Sequence, residues 1–339
     1  MRSNVRCIAV GAATALFAVL LAAWFLHNPV SYPDFGVFFS AATALRRGID
    51  PYANSLAADW ANRFLYPLPA IVPLVPLTWL PVDVAQMIFV GLSAFALGFA
   101  IEHSGNRWLF LTLLSQSFIA SAAVGQWSIL LLAAFFLPRL NAVSVIKPNV
   151  GVALAASWTS WRQLQWAVAG AVALCAVAFA LEPGWIAPWL TMVRGSPVLR
   201  SSVSYPGGIL VLAAAFRWRR PEARWLLALA VVPQSPGLYT DLLLFAVPRT
   251  KWEVVGLTLL TYVPLKIAHA MPHIEHLGEI TRYGSIAVPV LLVPCVLMVL
   301  RRPNEGPAPA WLERRLAGAP RWLRGRSDVA RDAIVAGAG

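Results

Sequence analysis

An unbroken apolar run fills residues 7–26. At about 20 residues, it is long enough for an α-helix to cross a hydrocarbon core of ~30 Å. Arg2 and Arg6 precede it, and it reads as a retained first helix with its N-terminus in the cytoplasm rather than a cleaved leader. Further apolar stretches follow at 66–80, 84–101, 108–122, 127–138, 143–157, 164–181, 205–216, 224–236, 238–248, 252–267 and 281–300. Several are shorter than the ~17 residues a straight crossing requires, so tilted or re-entrant pieces are expected. Backbone N–H and C=O groups in lipid must be satisfied within the chain, which favours helices. The expected fold is therefore all-α, a polytopic transmembrane bundle of ten to twelve helices over residues 1–301, with a basic tail at 302–339.

Composition supports this reading. Of the 339 residues, 59% are apolar and 12% charged, about half the charge density of soluble domains. A soluble enzyme, a disordered chain and a disulfide scaffold are excluded. Cys7, Cys175 and Cys295 each lie inside an apolar run and read as small buried hydrophobes. The net charge of +12 does not point to nucleic acid, because no stacking platform accompanies it. Arginines gather instead in short connections (Arg217, Arg219, Arg220, Arg224, then Arg249 with Lys251) and in the tail. The positive-inside rule produces that distribution, and the tail also suits anionic lipid headgroups. With both termini cytoplasmic, segments 27–65, 182–204 and 268–280 face outward.

The outward segments hold the candidate chemistry. Asp34 opens the stretch Phe35 to Leu45, which ends in Arg46, Arg47 and Gly48. This reads as a helix along the membrane surface, with Asp34 either its cap or a partly desolvated general base. Asp50 before Pro51 starts a turn, and Tyr66-Pro67 marks the start of the second crossing. Gly125, Gln126 and Trp127 precede one apolar run, while Lys147-Pro148-Asn149 interrupts another. A lysine inside a crossing segment is costly; it either meets a lipid phosphate or snorkels to an interface.

An Asp after the first helix (Asp34), G-x-D-P-Y (Gly48 to Tyr52), Y-P (Tyr66, Pro67), G-Q (Gly125, Gln126) and K-P (Lys147, Pro148) follow in order. This pattern resembles glycosyltransferase family 87, membrane-embedded enzymes of the GT-C superfamily that include polyprenol-phosphate-mannose-dependent α-1,2-mannosyltransferases. The resemblance covers roughly residues 1–160. It implies an outward-facing active site in the plasma membrane and a polyprenyl-phosphate sugar donor. A hexose, most simply mannose, would pass with inversion to an extracytoplasmic glycolipid or cell-envelope glycan. By the same resemblance Asp34 is the base, Tyr66, Gln126 and Lys147 lie at the substrate, and no cofactor is expected. Arg194 and Arg200 are placed either to neutralise the leaving phosphate or to anchor the interface.

His269, His273 and His276, with Glu275 and Glu279, occupy the last outer segment. Spacings of four and three suit one helical face, although Pro272 interrupts it. The group reads as a metal site, as a wall contacting sugar or phosphate through His273 and His276, or as a polar interfacial loop. Asp241 and Lys266 are the remaining charges within apolar stretches. Asp241 keeps a rival class open, a transporter or flippase of a lipid-linked saccharide.

Overall fold

The computed structural model describes residues 4–27, 34–53, 63–234, 237, 239–274 and 276–306. Their regular structure is helical throughout, with a single isolated β-bridge between Arg200 and Gln234. Among the described residues, four helical spans are long and apolar enough to cross a membrane. They are α1 (Asn4–His27), α3 (Val82–Ser104), α7 (Trp161–Leu181) and the continuous segment Gly278–Leu300. A bent pair, the 3-10 segment Arg107–Leu114 and α4 (Gln116–Val124), meets at 65° and makes a fifth if counted as one span. The count of full-length spans thus falls below the ten to twelve expected from hydropathy.

Proline explains much of the difference. A proline inside a helix removes a backbone donor and clashes with the preceding turn. Pro73 and Pro76 lie in the 3-10 segment Val72–Trp79, and Pro138 opens another at Pro138–Ile146. Pro148 opens α6 (Pro148–Ser157) and Pro221 opens α9 (Pro221–Val231). The apolar stretches containing these residues fold as short pieces joined at angles. Between α1 and α3 come α2 (Asp34–Arg46) and the Val72–Trp79 segment on which it packs. After α4 follow α5 (Ser128–Phe136), α6, α7, α8 (Ile186–Arg194) and α9. The last described elements are α10 (Lys251–Leu260), α11 (Tyr262–His269), α12 (His276–Ala287), a π-turn at Val288–Leu292 and α13 (Val293–Leu300).

The seam between α1 and α3 anchors the bundle. Helix α1 buries Cys7, Gly11, Thr14, Ala18 and Ala22 along one stripe, while Leu16, Leu20 and Trp24 on its other face are exposed. A Cβ on Gly98 would lie 2.3 Å from Thr14 Oγ1, and one on Gly91 would lie 3.0 Å from Val19. The pairing of 11–14 with 98 and of 19 with 91 makes the helices antiparallel. Small residues permit such close backbone approach where lipid supplies no hydrophobic drive between helices.

One end of the bundle is ionic. Glu102, 1% exposed, is paired with Arg6 at 3.1 Å and with Arg107 at 3.0 Å. Lys251 Nζ lies 4.7 Å from the Trp108 ring, bringing the second cluster alongside. There Glu222 meets Arg249 at 3.2 Å, Arg302 at 3.1 Å and Arg220 at 3.3 Å, and Arg302 also reaches Glu253 at 2.6 Å. Burial alone would raise the Glu222 pKa; the guanidinium groups of Arg249 and Arg302 outweigh it and hold the carboxyl below its ordinary value. Arg302, assigned to the tail from sequence, therefore packs into the bundle. From residue 307 onward the tail lies outside the described residues.

Replacing Gly98 by Ala is expected to destabilise the protein by about 1–3 kcal/mol, since the methyl enters a filled seam. Gly256→Ala, where nothing lies within 4 Å, is expected to be neutral or stabilising by about 0.5–1 kcal/mol. Thermal unfolding of the two variants in the same detergent checks the contrast.

Candidate functional site

The end of the bundle away from the ionic clusters carries a polar cluster built on the buried Gln126 and Lys147 and the half-buried Asp34, Tyr66 and Tyr239. Its distance from Glu102 follows from α3: Gln86, which pins α4 by donating from Nε2 to Ala123 O at 2.9 Å, lies about 24 Å back along that helix. Helix α4 ends at Gly125, whose φ of +68° is open mainly to glycine. A Cβ there would also meet Phe35 Cβ at 2.7 Å. Gly125 thus fits for two separate reasons, and the turn it makes delivers Gln126 to the start of α2.

Asp34 is the first residue of α2, and Gln126 Nε2 donates to its Oδ2. Tyr66 donates its hydroxyl to Gln126 Oε1 at 3.2 Å. The amide is therefore fixed at both ends, its N–H₂ toward the carboxylate and its oxygen toward the phenol. Phe38 packs edge-on against Tyr66 at 4.7 Å between centroids, and Phe89 does the same to Trp127 at 4.7 Å.

The G-x-D-P-Y segment positions Tyr66. Gly48, at φ +70°, ends α2, with Ile49 N donating to Ala44 O at 3.0 Å. Asp50 Oδ1 accepts from Tyr52 N at 2.8 Å, the turn expected from an Asp before Pro. Tyr52 then donates its hydroxyl to Tyr66 O at 3.0 Å. Trp189 of α8 holds the neighbouring carbonyl, Leu65 O, at 3.2 Å.

Lys147 does not lie mid-helix, as the apolar stretch 143–157 implied. It caps α6, where Pro148 forces a break after the 3-10 segment. Its ammonium is buried between two aromatic faces, 5.6 Å from the Tyr66 centroid and 5.5 Å from that of Tyr239. Such cation–π contacts partly replace lost water. Tyr239 also hydrogen-bonds Asp34.

Asp34 lies outside the spanning helices, and its pKa is raised from 3.8 to about 6. Burial is the dominant cause; the Gln126 hydrogen bond, the Lys147 charge and the Tyr239 hydrogen bond pull the other way. The result is a carboxyl that ionises near neutrality and suits proton abstraction from a hydroxyl.

The structure therefore brings Asp34, Tyr66, Gln126 and Lys147 together. It adds Tyr239, which the sequence reading missed; its only signal was membership of the polar turn before Asp241. The remaining candidates lie elsewhere. Arg194 ends α8 exposed, and Arg200 is exposed with its backbone bridged to Gln234. His273 Nδ1 meets Glu279 Oε1 at 2.5 Å on the surface. His269 closes α11 and His276 opens α12, so the histidines do not share one helix; Pro272 lies in the break. The His276 side chain and Glu275 fall outside the described residues. Among the described residues, no group of three or more His, Cys, Asp or Glu is placed to hold a metal ion. Lys266 is exposed, whereas Asp241 is buried and accepts from the Tyr283 hydroxyl at 2.5 Å.

Comparison with protein-family models, with curated proteins and with solved structures gives no match.

Infrared difference spectra of wild type against Asp34→Asn are expected to show one carboxyl band titrating near pH 6. Lys147→Met and Gln126→Leu each remove a group that favours the carboxylate, so both move that midpoint upward. A midpoint near 4, the ordinary carboxylate range, would show that Asp34 is solvated.

Proposed function

We propose that this chain is an integral-membrane glycosyltransferase of the GT-C type. It moves a hexosyl group, most simply mannosyl, from a polyprenyl-phosphate donor to a glycolipid or cell-envelope glycan. The observation that carries the reading is the half-buried Asp34 carboxyl, held by Gln126 and Tyr239 with the buried Lys147 ammonium nearby. The order of motifs through residue 148 supports the donor class by resemblance. In this reading the arginine-rich end faces the cytoplasm, both termini lie there, and the Asp34 end faces outward. The short apolar pieces then complete ten to twelve crossings as broken or tilted helices.

The reaction is one inverting displacement. The acceptor hydroxyl oxygen attacks C1 of the donor sugar on the face opposite the phosphate, and the C1–O bond breaks with its electron pair going to the phosphate. The acceptor proton passes to Asp34. A single carboxylate suffices, because only one bond to C1 forms. The leaving polyprenyl phosphate gains negative charge, which the Lys147 ammonium, itself shielded from water, offsets. Tyr66 and Gln126 set the geometry of the base, and the apolar surface of the bundle solvates the polyprenyl chain.

A second reading, a transporter or flippase of a lipid-linked saccharide, draws on Asp241, a buried acid within an apolar stretch. It predicts saccharide movement that is indifferent to Asp34.

The test uses membranes matched for expression of wild type and Asp34→Asn, given radiolabelled polyprenyl-phosphate sugars and an envelope-lipid extract. Wild type is expected to transfer label, and Asp34→Asn to lose at least about 100-fold. Transfer that survives the substitution removes Asp34 from the chemistry.

A further inference from the structure

Asp241 is a buried acid without a cationic partner, and it borders a cavity. It belongs to the 3-10 segment Thr240–Ala246. With three residues per turn, positions two apart leave on different faces. Tyr239 accordingly turns to Asp34, while Asp241 turns to Tyr283 of α12. Beside it is a cavity of about 20 Å³ whose polar lining is Ser202, Gln234, Thr240 and Asp241. The remaining wall is apolar and includes Leu292 and Val288 of the π-turn.

The oxygens on this cavity are unusually free. Ser202, Gln234 and Asp241 are 6%, 9% and 6% exposed. Asp241 Oδ2 accepts from Tyr283, and Gln234 spends its amide nitrogen on Leu229 O at 2.7 Å. That leaves Asp241 Oδ1, Gln234 Oε1 and Ser202 Oγ, none of which has a hydrogen-bond partner among the described residues. Thr240 Oγ1 donates to Gly237 O at 2.7 Å and accepts from Gly237 N at 3.1 Å, keeping a lone pair. Buried polar groups are rarely left unsatisfied in native proteins.

We propose that this cavity binds one small monovalent cation of the size and charge of Na⁺. Its ligands would be the Asp241 carboxylate and the side-chain oxygens of Ser202, Gln234 and Thr240. All are hard oxygen donors, the chemistry that alkali and alkaline-earth ions prefer. A single carboxylate matches a single positive charge, whereas tight divalent sites collect several. The cavity holds about one water-sized occupant, since one probe sphere needs roughly 10–15 Å³. Oxygen ligands at interrupted helices are also how membrane proteins hold such ions at depth. The cation would neutralise an acid that is costly in an apolar interior and tie Ser202 and Gln234 to the 240–246 segment. The titratable groups that meet Asp241 are Tyr283 and Cys295.

The site is independent of the glycosyl-transfer reading and is tested without it. Radioactive Na⁺ is equilibrated with the purified full chain in nanodiscs at fixed neutral pH, with choline or K⁺ holding ionic strength. Saturable binding near one ion per chain is expected in wild type, unchanged in Asp34→Asn, lost in Asp241→Asn and weakened severalfold in Ser202→Ala. Absence of saturable Na⁺ binding overturns the proposal, including the case where acid alone stabilises the protein. Binding retained by Asp241→Asn overturns it as well. Should Asp241→Asn fail to fold, Ser202→Ala decides, and unchanged affinity there contradicts the site.

Discussion

A half-buried carboxyl and a buried ammonium share one polar cluster inside an apolar bundle, and the surrounding architecture is what permits it. Moving either charge out of water unaided costs several kcal/mol. Here the carboxyl is met by an amide and a phenol, and the ammonium by two aromatic faces. Each of those groups is itself held: Gln126 by Gly125 and Tyr66, Tyr66 by Tyr52 and Phe38, Lys147 by the helix start that Pro148 imposes. Loss of an outer support such as the Tyr52 hydroxyl would therefore act on Asp34 through Tyr66 rather than directly.

The polar cluster forms where helices break. Asp34 starts a helix, Gln126 follows the end of one, Lys147 caps a third, and Tyr239 precedes a 3-10 segment. Broken helices expose backbone groups, which apolar surroundings tolerate only around a cavity or within protein. Polar side chains and backbone breaks accordingly occur together. The long helices serve a different purpose: the α1–α3 seam of small residues holds the frame, and the arginine clusters close its far end.

Much of this was legible in the sequence, for identifiable reasons. Asp34, Tyr66, Gln126 and Lys147 were grouped by an ordered set of short motifs that resembles a known family, each a polar residue beside Gly or Pro or at a helix start in an apolar chain. Asp50-Pro51 encoded its turn locally, and the structure contains it. Arg194, Arg200 and His273 were grouped by sequence segment alone, which says nothing about the face each occupies. The histidine spacing assumed one helix, but the break between α11 and α12 separates His269 from His276. Tyr239 escaped notice because its neighbours in the cluster come from distant parts of the chain. Hydropathy registers apolarity without the angle that a proline introduces, so it marked the short pieces as apolar without showing how they are joined.

The central claim is that Asp34 works as a base tuned by burial, and the pH dependence of glycosyl transfer addresses it most directly. A base must be ionised to accept the acceptor's proton, so the rate should be low in acid, climb as pH rises through about 6, and level off above it. The measurement uses purified wild-type protein in proteoliposomes with a saturating polyprenyl-phosphate sugar. A rising limb centred near pH 6 that moves upward in Lys147→Met is the predicted result. A rate that stays flat across that range, or a limb that Lys147→Met leaves in place, would contradict the account.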